Sequence, residues 1–202
     1  RSTLFPYTTL FRSLFIPSLL DAALLTIGTG YYGNGTGEVT ASNGGRIVAG
    51  NITLAPTGGT ATLTITDANS TLIQTGASFI KLGHATDGTA TVNVRNNATF
   101  TTGTGAIDIY ATGQINLESG AVFDAHGPIN MNGGEFNFLG GTLHVDAFNG
   151  NLLNEGGTLA PGHSVGTTAV NGNYTQRAAA ALEIEIADVF PGDMNRDRKS
   201  VV

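Results

Sequence analysis

The 202-residue chain contains no cysteine and no tryptophan, only 2 Met, 6 Pro and 9 Lys plus Arg. Without cysteine there is no disulfide scaffold, no Cys-ligated zinc site and no thiol nucleophile. The few basic residues stand against 15 acidic ones, net charge −6, which argues against nucleic acid or an anionic membrane as a partner. Long apolar runs are missing too. Residues 14–27 are interrupted by Pro17 and Asp21 and fall short of the roughly 20 residues a membrane-spanning helix needs, so they read as a damaged first repeat. What is abundant is glycine, 29 residues of it, together with Thr, Asn and Ala. Small polar residues, glycine turns and scattered β-branched residues suit a sheet protein with many tight corners. Such a cysteine-free, lysine-poor, acidic chain fits a secreted bacterial protein.

The two ends read differently from the middle. Leu4-Phe-Pro-Tyr-Thr-Thr-Leu-Phe-Arg-Ser13 is what CTC TTT CCC TAC ACG ACG CTC TTC CGA TCT encodes, a string that resembles the end of a sequencing-library adapter. Asp197-Arg-Lys-Ser-Val-Val202 is encoded by GAT CGG AAG AGC GTC GTG, and the next triplet of the complementary adapter is a stop. Residues 1–13 and 197–202 are therefore read as adapter-derived and left out of fold reasoning. The expectation is a fragment of a longer protein, with any signal peptide, anchor or further domain lying outside it. The remaining residues 14–196 carry 5 basic against 14 acidic residues, net −9.

Internal repetition is the strongest signal. Leu25-Thr-Ile27, Ile52-Thr-Leu54, Ile80-Lys-Leu82 and Ile107-Asp-Ile109 share one apolar–polar–apolar pattern at steps of 27, 28 and 27 residues. A further step of 27 lands on Phe136. A second family opens with Gly-Thr: Gly35 to Val39, Gly59 to Leu63 and Gly88 to Val92. A third runs through Ile47, Leu72 and Phe100. Corners fall at Asn43-Gly44-Gly45, Asp67-Ala68-Asn69 and Asn96-Asn97. Three short strands per repeat, recurring in one direction, predict a right-handed parallel β-helix of about 27 residues per turn over residues 14–187. A β-sandwich or jelly roll is the alternative, although it calls for tight hairpins between longer strands. After Gly113 the repeats shorten and blur, and Ala181-Leu-Glu-Ile-Glu-Ile186 closes them as an alternating, half-exposed strand.

Gly156-Gly-Thr-Leu-Ala-Pro-Gly-His-Ser-Val-Gly-Thr167, followed by Val170-Asn-Gly-Asn-Tyr-Thr-Gln176 and Leu182-Glu-Ile-Glu-Ile186, resembles the closing motif of bacterial autotransporter passenger domains. Similar repeats occur in surface proteins bearing a PEP-CTERM sorting signal. The resemblance covers roughly residues 24–186 and implies a right-handed β-helix exported from a bacterium, with little about biochemical activity. His163 stands where that family usually has Asn, so the resemblance gives it no role. Residues 188–196 read as a linker or as the truncated start of a dockerin-like calcium loop. In the latter, Asp193, Asn195 and Asp197 would hold alternate ligand positions, but the following Gly and the later acidic ligand are absent.

Polysaccharide-cleaving β-helices cluster carboxylates on one outer face. Matching positions at a 27-residue period stacks Thr26, Thr53, Lys81, Asp108 and Glu135 in one outward column. Asp108 and Glu135 would then lie one rung apart, near the carboxylate separation of retaining glycosidases. Lys81 on the neighbouring rung gives the same column the character of a solvated charge ladder. The four histidines, His84, His126, His144 and His163, form no pair with metal-ligand spacing and read as loop or surface residues. Gly28-Thr-Gly30-Tyr-Tyr-Gly33 leads into a strand, which removes the dinucleotide reading. Asn-x-Thr triplets at Asn34, Asn51, Asn69, Asn97 and Asn173 fit corner and ladder roles.

The expectation is therefore a non-catalytic structural or adhesive module of an extracellular or outer-surface bacterial protein, with no cofactor and no metal. Its expected partner is a cell-surface or matrix polysaccharide, with a membrane reached only through segments outside this sequence. The rivals are a polysaccharide lyase or glycoside hydrolase using Asp108 and Glu135, and a glycan-binding module using Tyr31, Tyr32, Tyr110 and Tyr174.

Overall fold

A computed structural model describes residues 19–28, 35–163, 166–186 and 198–201. The chain coils through about seven turns, and no described residue is helical. In chain order the strands are β1 (Leu19–Ile27), β2 (Thr36–Ala41), β3 (Arg46–Leu54), β4 (Thr60–Ile65), β5 (Thr71–Gln74) and β6 (Ile80–Leu82). The middle turns hold β7 (Thr89–Val94), β8 (Thr99–Thr101), β9 (Ile107–Tyr110), β10 (Gly113–Leu117), β11 (Val122–Ala125) and β12 (Ile129–Asn132). Then come β13 (Glu135–Phe138), β14 (Thr142–Val145), β15 (Ala147–Asn149), β16 (Leu152–Asn154), β17 (Thr158–Pro161) and β18 (Ala169–Val170). The last described strands are β19 (Tyr174–Gln176), β20 (Ala181–Ile186) and β21 (Arg198–Val201).

These strands build three faces. Face one is the sheet β2-β4-β7-β10-β13-β16-β19. Face two runs from the first half of β3 through β5, β8, β11, β14 and β17 to β20. Face three runs from the second half of β3 through β6, β9, β12 and β15 to β18. β1 covers both halves of β3, pairing from Leu19↔Arg46 to Ile27↔Leu54. Every pairing between named strands is parallel except that of β20 with β21, so this is a parallel β-solenoid and not a sandwich. β21 lies inside the stretch read as adapter-derived.

The three strand families expected from the repeat fall on three separate faces, but the turn length differs. Along face three Ile27, Leu54, Leu82 and Ile109 are stacked partners at the expected steps. The next partner of Ile109 is Met131, only 22 residues on, and Ile129 then pairs with Phe148 after 19. Averaged over the solenoid a turn takes about 23 residues, not 27. The change lies in the corners, because the strands stay short throughout. Residues 83–88 join β6 to β7, whereas residues 111–112 suffice between β9 and β10. Phe136, placed on face three by a fixed period, belongs to β13 on face one, where it pairs with Ile115.

Alternation decides what is buried. Leu54, Leu63, Leu72, Leu82, Val94 and Ile109 point inward and are sealed from solvent by the turns above and below. Later turns are filled by Phe100, Phe123, Phe138 and Phe148, with the Phe100 and Phe123 rings stacked at 4.7 Å. Corner residues Asn43, Asp67, Asn69, Asn96 and Asn97 take positive φ, the conformation Asn and Asp tolerate best after glycine.

Candidate functional site

The outward column containing Asp108 is Thr26, Thr53, Lys81, Asp108 and Asn130. Glu135 is not its next member. It lies in β13 on face one, exposed and paired with Gln114, so the two acids expected on adjacent rungs sit on different faces. The cause is chiefly the shortened corner between β9 and β10, with one more residue lost before β12, which together bring Asn130 to the position the fixed period gave to Glu135.

Asp108 has a structural partner instead. Asn171 donates to Asn149 at 2.6 Å, Asn149 to Asn130 at 2.6 Å, and Asn130 to the Asp108 carboxylate at 2.8 Å. Asn132 adds a longer bond at 3.3 Å. Asp108 therefore terminates an amide ladder running up face three. Face one carries a matching ladder, with Asn137 donating to Asn116 at 2.9 Å, Asn116 to Asn93 at 2.8 Å and Asn93 to the Thr64 hydroxyl at 3.3 Å. Among the described residues Lys81 forms no ion pair with Asp108; its Nζ lies 4.7 Å from the centre of the Phe79 ring.

Face two breaks this pattern. Its outward column reads Val48, Ile73, Thr101, Asp124, His144 and Ala160, so titratable side chains replace amides in the later turns. On adjacent strands the order is reversed: Asp124-Ala125-His126 stacks against His144-Val145-Asp146, with Asp124 opposite His144 and Ala125 opposite Val145. The following turn contributes His163, just past β17. Gly162, at φ +64°, turns the chain there, and its Cα packs so tightly on Gly166 that neither position has room for a Cβ.

His163 reaches back over both rungs. Its Nε2 bonds the Asp124 carboxylate at 2.5 Å, and its Nδ1 lies 3.4 Å from Asp146 Oδ1. The His126 ring stacks on it at 3.8 Å between centres, while His144 is 6.3 Å away. His126 Nδ1, 3.9 Å from Asp124 Oδ1, is buried and has no hydrogen-bond partner. One donor atom each from Asp124, His126 and His163 falls within 4.8 Å of the others. Beside the cluster is a groove of about 250 Å³. It opens where small Ala160 follows bulky His144, beside Gly162, and Glu183 and Glu185 of β20 also line it.

Three of the four histidines expected to be isolated are thus assembled; His84 stays apart, at an exposed corner beside Thr86. A sequence signal existed: His126, His144 and His163 are 18 and 19 residues apart, within the range of the shortened turns. Asp193, Asn195 and Asp197 lie outside the described residues, as do Tyr31 and Tyr32. Tyr110 is on face three and Tyr174 on face one, so these two tyrosines form no common platform.

Fold and surface together define a parallel β-solenoid repeat protein. No family model, no curated protein and no solved structure matches the chain.

Proposed function

We propose that the chain is a non-catalytic structural or adhesive module of a secreted or surface-exposed bacterial protein, a right-handed rod of the autotransporter-passenger or PEP-CTERM-associated kind. The observation that carries this reading is the pair of amide ladders. Outward positions on faces one and three are occupied by side chains that bond to the rung above and below. A carboxylate engaged at the end of such a ladder is a structural acceptor rather than a general acid or nucleophile, and Asp108 has no second carboxylate on the adjoining rung of its column. Residues devoted to stacking suit a stiff spacer that presents a surface, with a cell-surface or matrix polysaccharide as the partner class. The test is a turnover screen on polyuronates and neutral glycans beside an Asp108→Asn control. No turnover is expected from either protein, and turnover lost in Asp108→Asn overturns the reading in favour of a carbohydrate-active enzyme.

A further inference from the structure

We infer that the corner formed by Asp124, His126 and His163 binds one divalent transition-metal ion of the zinc class. The inference goes beyond the structural role proposed above and does not depend on it.

Three features point to an ion rather than to a surface ion pair. The donors come from two strand ends 37 residues apart, yet one atom of each already lies within 4.8 Å of the others. A tetrahedral site with bonds of about 2.0–2.1 Å holds its ligand atoms about 3.3 Å apart, so coordination requires the His126 and His163 rings, 3.8 Å apart between centres, to turn their nitrogens toward a common point. The second feature is Asp146. Metal-binding histidines characteristically give their other ring N–H to a carboxylate, which orients the ring and raises its basicity. His163 approaches that arrangement: Nε2 bonds Asp124, and Nδ1 lies 3.4 Å from Asp146 Oδ1, near enough to form the bond after a slight turn of the ring. An ion would take the place of the proton shared between Asp124 and Nε2 and leave Nδ1–H to Asp146. Third, His126 Nδ1 is a covered nitrogen without a hydrogen-bond partner on a side chain that is otherwise 39% exposed, 3.9 Å from the same carboxylate oxygen. Burying a polar atom unpaired costs free energy that coordination would recover.

Donor chemistry sets the class of ion. Two imidazoles and one carboxylate suit Zn²⁺, Co²⁺, Ni²⁺ or Cu²⁺, whereas Ca²⁺ and Mg²⁺ require an oxygen shell. Three protein ligands leave a fourth position, and the adjoining groove can hold water or a small ligand there.

The experiment is titration of the full chain with ZnCl₂ by calorimetry, and with CoCl₂ followed by its visible absorption. Saturable binding of one ion per chain is expected, abolished in His163→Ala and in His126→Ala. Asp146→Asn should weaken it about 10–100-fold, the usual effect of losing an orienting carboxylate. His84→Ala, remote from the corner, should bind as the parent does. Nitrogen NMR of the unmutated protein covers the case of a variant that does not fold. Zn²⁺ should shift the His126 and His163 ring signals and leave His84 in place. Absence of saturable uptake of either metal overturns the inference, as does uptake that survives both alanine variants or shifts His84 instead.

Discussion

At the scale of single residues, inward polar groups are rare and each has a defined task. Gln74 points into the solenoid at the end of β5, only 2% exposed. Its amide donates to the Ser78 carbonyl at 2.7 Å, and its carbonyl accepts from the Gly103 N–H of the next turn at 2.7 Å. One side chain therefore closes a corner and ties it to its neighbour. Replacement by leucine keeps the volume but orphans the part-buried Ser78 carbonyl and Gly103 N–H, at up to about 1–3 kcal/mol for each group that water does not reach. Gln74→Leu should therefore unfold at clearly lower urea than the parent. An unchanged midpoint would mean that water reaches the corner. The histidine corner belongs to the same scale, for its geometry rests on individual substitutions: Asp124 where Thr101 stood one rung before, and Ala160 where His144 stood.

At the scale of strands and corners, stacking makes equivalent positions unequal. A Cβ added at Gly103 would run into the Gly76 carbonyl of the preceding corner, which is backbone and cannot rotate away. Gly44 has nothing within 4 Å, so alanine there meets only the cost of its left-handed φ of +80°. That cost is about 1–2 kcal/mol, while overpacking against backbone costs about 1–3 kcal/mol and displaces the strand besides. Thermal denaturation should find Gly103→Ala the more destabilised of the two, with weakened pairing at the adjoining β8–β11 step visible in hydrogen exchange. Equal losses would show that the corner at Gly103 opens freely. Corner length also built the histidine cluster. Residues 126–128 join β11 to β12 and residue 146 alone joins β14 to β15, which draws His126 and Asp146 against the strand ends.

At the scale of the whole molecule, stability is shared between neighbours along one axis. Among the described residues the inner turns are covered on two sides, whereas β1, β18 and β19 pair with a strand of one neighbouring turn only. Leu63, Leu82, Val94 and Ile109 are fully sealed, whereas Tyr174 is only partly buried and Ile184 is 39% exposed. Amide exchange should accordingly be slowest in β4 to β12 and faster in β1 and in β18 to β20. Uniform protection along the chain would instead indicate all-or-none opening. The rod also gives the three faces separate characters, with amide ladders on two and the histidine–carboxylate corner on the third.

The sequence by itself determined the solenoid, the three strands per turn, the inward residues and the corners of the early turns. Those features are local: alternation fixes which side chain faces in, and Asn, Asp and Gly tolerate the left-handed backbone that a sharp corner demands. Which residues stack across later turns was not legible in a fixed period, because corners lose residues without changing the strand pattern. Each lost residue shifts the partner of everything downstream. That shift separated Asp108 from Glu135 and set Asn130 beside the aspartate. It also folded His163 onto Asp124 and His126, three residues that only the turn-to-turn register of the tertiary structure could bring together.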